Sequence, residues 1–183
     1  MFDKIPKAQV FKDVDRAIEW AEDDLLRAAF HEPEPGAELA LDQAGIIADF
    51  SADEIAVLKS RLTRVEHARG SIVFSEGDPG NDLFIITKGT ASAYIHQPEG
   101  GDIRLVTFAP GTVFGELAIL DPGPRSATVV ADEDLVTHAL GGKDFAALSA
   151  EVPAVAIKLL ASLGRELSRR LRRANRTIHQ LEV

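Results

Sequence analysis

Residues 70–96 read Gly-Ser-Ile-Val-Phe-Ser-Glu-Gly-Asp-Pro-Gly-Asn-Asp-Leu-Phe-Ile-Ile-Thr-Lys-Gly-Thr-Ala-Ser-Ala-Tyr-Ile-His. Three short runs rich in β-branched and aromatic residues stand out: Ser71 to Phe74, Leu83 to Thr87 and Thr90 to His96. They are separated by Glu76-Gly77-Asp78-Pro79-Gly80-Asn81 and by Lys88-Gly89, residues that set turns by fixing φ or permitting its positive values. The pattern continues downstream. Ile103 to Phe108 ends at Pro110-Gly111, and Ser126–Ala131 and Leu135–Leu140 are parted by Asp132-Glu133-Asp134. Many short strands at this spacing predict a mainly β core, a jelly roll, sandwich or small barrel.

Working outward, helices flank this core. Ser51 and Glu54 have the spacing of a capping box, and Phe50 and Ile55 that of a hydrophobic staple, so a helix starts at Ser51 and is expected to reach about Leu62. A short helix is predicted over Lys143–Ser149. From Pro153 a long one places Ala156, Leu160, Leu163, Leu167, Leu171 and Ala174 on one seam, continuing to Ile178 and Leu181. That stripe extends beyond what a small barrel covers, which predicts a homodimer through the C-terminal helix. Near the start, Asp13 caps a predicted amphipathic helix bearing Val14, Ala17, Ile18, Ala21, Leu25 and Leu26, and His-Glu-Pro-Glu-Pro-Gly at 31–36 has linker chemistry. The expected division is an N-terminal helix and linker at 1–45 and one domain at 46–183.

Composition narrows the chemistry. The 183 residues include no Cys, so disulfides, thiolate metal sites and cysteine nucleophiles are excluded, and a reducing, cytoplasmic setting is expected. No stretch has the ~20 apolar residues of a membrane span, and the N-terminus has no secretory h-region. The net charge of −9 is unevenly spread: residues 153–183 hold seven Lys/Arg against two acidic groups, whereas the rest is acidic. An acidic body argues against binding a phosphate backbone, and no helix-turn-helix follows the last helix, so nucleic acid is not an expected partner. The arginines from Arg169 to Arg176 read as the solvated side of that helix. His31, His67, His96, His138 and His179 show no metal-ligand spacing, so no metal is expected. With no GxSxG, Walker-type GK[ST] or GxGxxG motif, the chain reads as a non-enzyme. The competing enzyme reading, a cupin-type metal site in the same β architecture, lacks clustered ligands.

The chemistry concentrates in residues 114–129, Phe-Gly-Glu-Leu-Ala-Ile-Leu-Asp-Pro-Gly-Pro-Arg-Ser-Ala-Thr-Val. Gly115 lets backbone approach closely, and Gly115-Glu116-Leu117-Ala118 can form one turn whose free N–H groups face an anion. Arg125 supplies a guanidinium fork suited to phosphate oxygens, behind the stiff Pro124. Glu116 would repel a phosphate that it faced, so it fits as an acceptor for sugar hydroxyls beside one.

This segment resembles the phosphate-binding cassette of the cyclic nucleotide-binding domain family, FGE-L-A followed by PR-[SAT]-A-T. Phe74-x-x-Gly77-Asp78 through Gly89 is similar to the family's glycine-bearing strand pair, and the resemblance spans about residues 46–180. It implies a jelly-roll β-barrel with a long C-terminal helix and a cyclic mononucleotide ligand. Glu116 would accept from the ribose 2′-OH, Arg125 would pair with the cyclic phosphate, and amides near Leu117, Ala118 and Ser126 would complete the anion nest. In similar domains Thr after the arginine favours guanine and Ala is usual for adenine. Ser126 lies between, and cAMP is expected ahead of cGMP. A side chain of the last helix, among Leu160, Leu163, Arg165 and Leu167, would cap the base. Residues 10–26 also resemble the last helix of a STAS domain, which in sulfate-permease-type transporters and some glutaminases precedes such a domain. That implies a regulatory end of a larger protein. Two alternatives stand beside it: a degenerate domain kept for dimer or partner contacts, and the sensor part of a catabolite-activator-like transcription regulator.

Overall fold

The computed structural model describes residues 37–97 and 100–181, with side chains to residue 175. The predicted helix from Asp13 and its linker lie outside the described residues. A compact unit begins at Glu38. Two single 3-10 turns, Leu41–Gln43 and Gly45–Ile47, lead into α1 (Ala52–Lys59). The capping box is formed: Ser51 N–H donates to Glu54 Oε2 at 2.7 Å and Glu54 N–H to Ser51 Oγ at 3.3 Å. The helix ends at Lys59, short of the expected Leu62, because the chain enters β1 (Thr63–His67).

The remaining strands are β2 (Ile72–Phe74), β3 (Leu83–Lys88), β4 (Ala91–His96), β5 (Asp102–Phe108), β6 (Val113–Phe114), β7 (Thr128–Ala131) and β8 (Leu135–Leu140). They form two antiparallel four-stranded sheets, ordered β1-β8-β3-β6 and β2-β7-β4-β5. Apart from the β4–β5 hairpin, consecutive strands fall in different sheets, as in a jelly roll. One helical turn, α2 (Leu117–Leu120), follows β6; α3 (Gly142–Glu151) and α4 (Pro153–Leu181) close the chain. Val152, non-helical at φ −136° and ψ 67° between α3 and the Pro153 that opens α4, breaks the two helices apart.

The alternation of β3 shows where the core sits. Leu83 and Ile85 face a helical core with Ile47, Leu58, Leu148 and Leu159, whereas Phe84 and Ile86 face the space between the sheets with Phe114 and Val129. A strand buried on both faces reads as a continuous apolar run, which explains Leu-Phe-Ile-Ile. On α4 the buried stripe is Val155, Ala156, Leu159 and Leu163. Only Ala156 and Leu163 belong to the seam expected from spacing. Leu160 is partly exposed and Leu171 largely so, since the helix turns the next row of side chains toward the barrel.

Candidate functional site

The cassette spans β6, α2 and the loop to β7, and two of its three ionic residues lie under cover while Asp121 is exposed. Glu116 is 4% exposed and Arg125 6%. They do not pair with each other. Arg125 Nη1 donates to the carbonyl of Asp82 at 2.8 Å and to that of Gly115 at 3.3 Å, and its Nη2 lies 3.9 Å from the Asp82 carboxylate. Its guanidinium sits 4.1 Å from the Phe74 ring centroid. Burial draws the Arg125 guanidinium below its ordinary pKa, and the Asp82 and Asp78 carboxylates oppose that shift. Among the described residues Arg125 Nε is buried without an acceptor. An orphaned cationic donor of this kind suits an anion.

Two glycines make room for this arginine. Gly115 has φ +74°, and a Cβ there would lie 2.9 Å from the Asp82 carbonyl and 3.0 Å from Arg125 Nη1. Both the conformation and the space require glycine. A Cβ on Gly80 would meet Arg125 Nε at 2.5 Å.

Glu116 is held by a residue that spacing did not single out. Arg170 of α4 donates from Nη1 to Glu116 Oε1 at 3.0 Å, from Nη2 to the Val113 carbonyl, and from Nε to Glu166 at 3.3 Å. Burial pushes the Glu116 carboxyl above its ordinary range; the Arg170 charge and a backbone hydrogen bond pull it back, and Glu166 adds to the rise. Of the helix residues expected to cap a base, Leu163 is buried in the helical core and Arg165 pairs with Asp49 at 2.8 Å. The α4 side chain that reaches the cassette is Arg170, one of the arginines read from sequence as solvated. The signal available was the Glu166–Arg170 spacing of one helical turn, together with the need of a buried carboxylate for a cation.

The residues expected to form the anion nest differ in exposure and bonding. Leu117 and Ser126 are exposed beside the buried Arg125, whereas the Ala118 amide already donates to the Gly115 carbonyl at 3.3 Å. The floor is aromatic: Phe84 and Phe108 stack on Phe114 with centroids 5.1 and 5.3 Å apart, and Phe74 lies 6.0 Å from the same ring. Among the described residues no cluster of His, Asp and Glu is placed to hold a metal, and no helix is long and apolar enough to cross a membrane. A buried cation with a free donor, a buried carboxylate beside it and an apolar floor can take an anion joined to a hydroxylated, partly apolar body.

The family model for the cyclic nucleotide-binding domain matches residues 64–151. The chain is 34% identical over 141 residues to a CRP-like cAMP-activated global transcriptional regulator of Mycobacterium tuberculosis, covering 77% of this chain and 61% of the regulator. It is 32% identical over 173 residues to Glutaminase 2 of Bradyrhizobium diazoefficiens, covering 94% of this chain and 27% of the glutaminase. The chain therefore spans less than two thirds of the regulator's length and about a quarter of the glutaminase's. A cyclic nucleotide-binding domain from Methylobacillus flagellatus superposes with a TM-score of 0.70 at 27% identity, over 76% of this chain and 79% of that one. The fold, the cassette and these likenesses agree: this chain carries a domain of the cyclic nucleotide-binding family.

Proposed function

We propose that the chain is a sensor module that binds cAMP in preference to cGMP and regulates a larger protein. The observation that carries this reading is Arg125, sunk to 6% exposure with Nε unpartnered and set beside the buried Glu116. In this reading Arg125 pairs with the cyclic phosphate through charge-assisted bonds, and Glu116 takes the ribose 2′-OH. Leu117, Ala118 and Ser126 line the rim, Gly115 keeps it narrow, and no metal takes part. The acceptor on Glu116 is shared with Arg170, so occupancy of the site is felt by α4. A ligand shifts that helix only as far as it binds the two helix positions with different affinity.

The larger protein is best sought among those that carry such a domain at one end. The glutaminase likeness covers 94% of the chain, whereas the compact unit starts at Glu38, so that likeness extends into the residues before it. This supports a regulatory end joined to another domain, of which the STAS-like helix at 10–26 would be the last part, in an enzyme or a sulfate-permease-type transporter. A second reading, the sensor part of a CRP-like regulator, is favoured by the 34% identity to the mycobacterial protein. The net-acidic body of the domain itself disfavours contact with a phosphate backbone. A Cys-free chain of this kind suits the cytoplasm. A second copy would cover the outer face of α4, where Ile157 is 65% and Leu171 61% exposed; sedimentation showing a strict monomer at high concentration would remove that element.

The test is calorimetric titration with cAMP and cGMP, with Arg125→Ala as control. Saturable binding, tighter for cAMP, that weakens at least tenfold in the variant is expected from losing a charge-assisted contact. A folded wild-type chain that binds neither nucleotide refutes the reading and favours a domain kept for its contacts alone.

A further inference from the structure

Arg125 poses a problem of charge. A guanidinium out of water needs compensation, and a carboxylate usually provides it. Here the carboxylate of Asp82 stays 3.9 Å from Nη2, and the direct acceptors are two neutral carbonyls, both on Nη1. What lies against the cation is a ring: Phe74 at 4.1 Å from Cζ to centroid, with Phe84 at 5.8 Å. Gly80 closes in so tightly that a Cβ would come within 2.8 Å of Nε, Cζ and Nη2 alike.

We propose that Phe74 is a positioning residue for Arg125, its ring face supporting the guanidinium where no carboxylate is hydrogen-bonded to it; this rests on reading the cassette as a cyclic phosphate site. The face of a phenyl ring attracts a cation but accepts none of the in-plane N–H bonds of a guanidinium. A bidentate carboxylate would occupy those donors and cancel the charge that must attract the ligand. The ring therefore keeps Arg125 buried, oriented and cationic while Nε remains available. Gly80 fixes the depth of the side chain and Gly115 the position of Nη1. The partner is the phosphate of the nucleotide, and the specificity this arrangement confers is for a compact monoanion that can reach a recessed guanidinium edge.

The test is titration with cAMP of the wild type, Phe74→Leu, Phe74→Tyr, and chains carrying mono-, di- and trifluorinated phenylalanine at position 74, each with its melting temperature. Fluorination drains charge from the ring face at nearly constant shape. Affinity is expected to fall about tenfold in Phe74→Leu, to be restored in Phe74→Tyr, and to decline stepwise along the fluorinated series while the melting temperature holds. A flat fluorinated series overturns the proposal, even if Phe74→Leu weakens binding, because the ring would then only fill space. The wild type separates the two levels: if it binds no cyclic nucleotide, the reading of the site fails and the role given to Phe74 fails with it. If it binds and fluorination has no effect, only the latter fails.

Discussion

Arg125 of the cassette and Arg170 of α4 stand over the two ends of one row of phenylalanine rings, Phe74 beneath the first at 4.1 Å and Phe108 beneath the second at 5.1 Å. Phe114 touches both rings and joins the ends. The two cations differ in what they face: Arg125 retains a buried donor without an acceptor, whereas all three guanidinium nitrogens of Arg170 have protein acceptors. One arginine therefore keeps a donor unused by the protein, and the other is engaged in holding the last helix to the barrel.

Replacing Arg170 with Met keeps its apolar stem and removes the cation from a carboxylate that is 6% exposed. Stranding a buried charge costs about 3 kcal/mol. Urea denaturation of Arg170→Met should show a loss of this size, largely recovered in the double variant with Glu116→Gln. Equal stability of the single variant and the wild type would show that Glu116 does not depend on that contact.

The Glu116 carboxyl titrates above its ordinary range because it is buried, so the folded protein holds that proton more tightly than the unfolded chain does. The stability contributed by this group is accordingly full below the ordinary carboxylate range and is lost as pH rises through the raised value. Arg170 opposes the shift. In Arg170→Met the window should widen, and melting temperatures taken from pH 4 to pH 8 should fall more steeply toward high pH than in the wild type. Parallel curves would contradict this.

Gly80 and Gly89 each leave only 2.5 Å for an added Cβ, but what they would meet differs. At Gly80 it is the Arg125 side chain, so Gly80→Ala should displace the guanidinium and weaken nucleotide binding about tenfold or more with little change in melting temperature. At Gly89 it is the backbone carbonyl of Asp134, and φ is +74°, so Gly89→Ala should cost about 1–3 kcal/mol in stability. Titration and denaturation of the pair distinguish a site effect from a folding effect.

Ser51→Ala removes the acceptor for the Glu54 amide and should cost about 1 kcal/mol. Glu54 also takes a hydrogen bond from Lys158 of α4 at 2.6 Å, so Glu54→Ala should lower the melting temperature further than Ser51→Ala. The reverse order would show that the tie to α4 adds nothing.

Local patterns made much of this legible. The cassette is contiguous, so its glycine, carboxylate and arginine can be read from their spacing, and the capping box at Ser51 and Glu54 formed as its motif indicates. Six strands followed from alternation and turn residues. β1 did not, because Thr-Arg-Val-Glu-His is mostly exposed and lacks an apolar signal, and β6 is only two residues long. Arg170 was hidden for a different reason. Which turn of a helix meets the cassette depends on where Val152 and Pro153 send α4, a tertiary matter, and an arginine among arginines gives no local sign of it. Phe74 likewise reads as an ordinary core residue until Arg125 is seen above it.

β3 has a consequence for how the protein fails. Its side chains alternate between the helical core and the space between the sheets, making it the common wall of both. Neither compartment can melt without stripping one face of that wall, so loosening at the helices would be shared with the barrel rather than confined. The domain should therefore come apart in one concerted step, and a last helix that shifts on ligand binding must do so by pivoting beyond Leu163, leaving Leu159 and Leu163 seated on the wall.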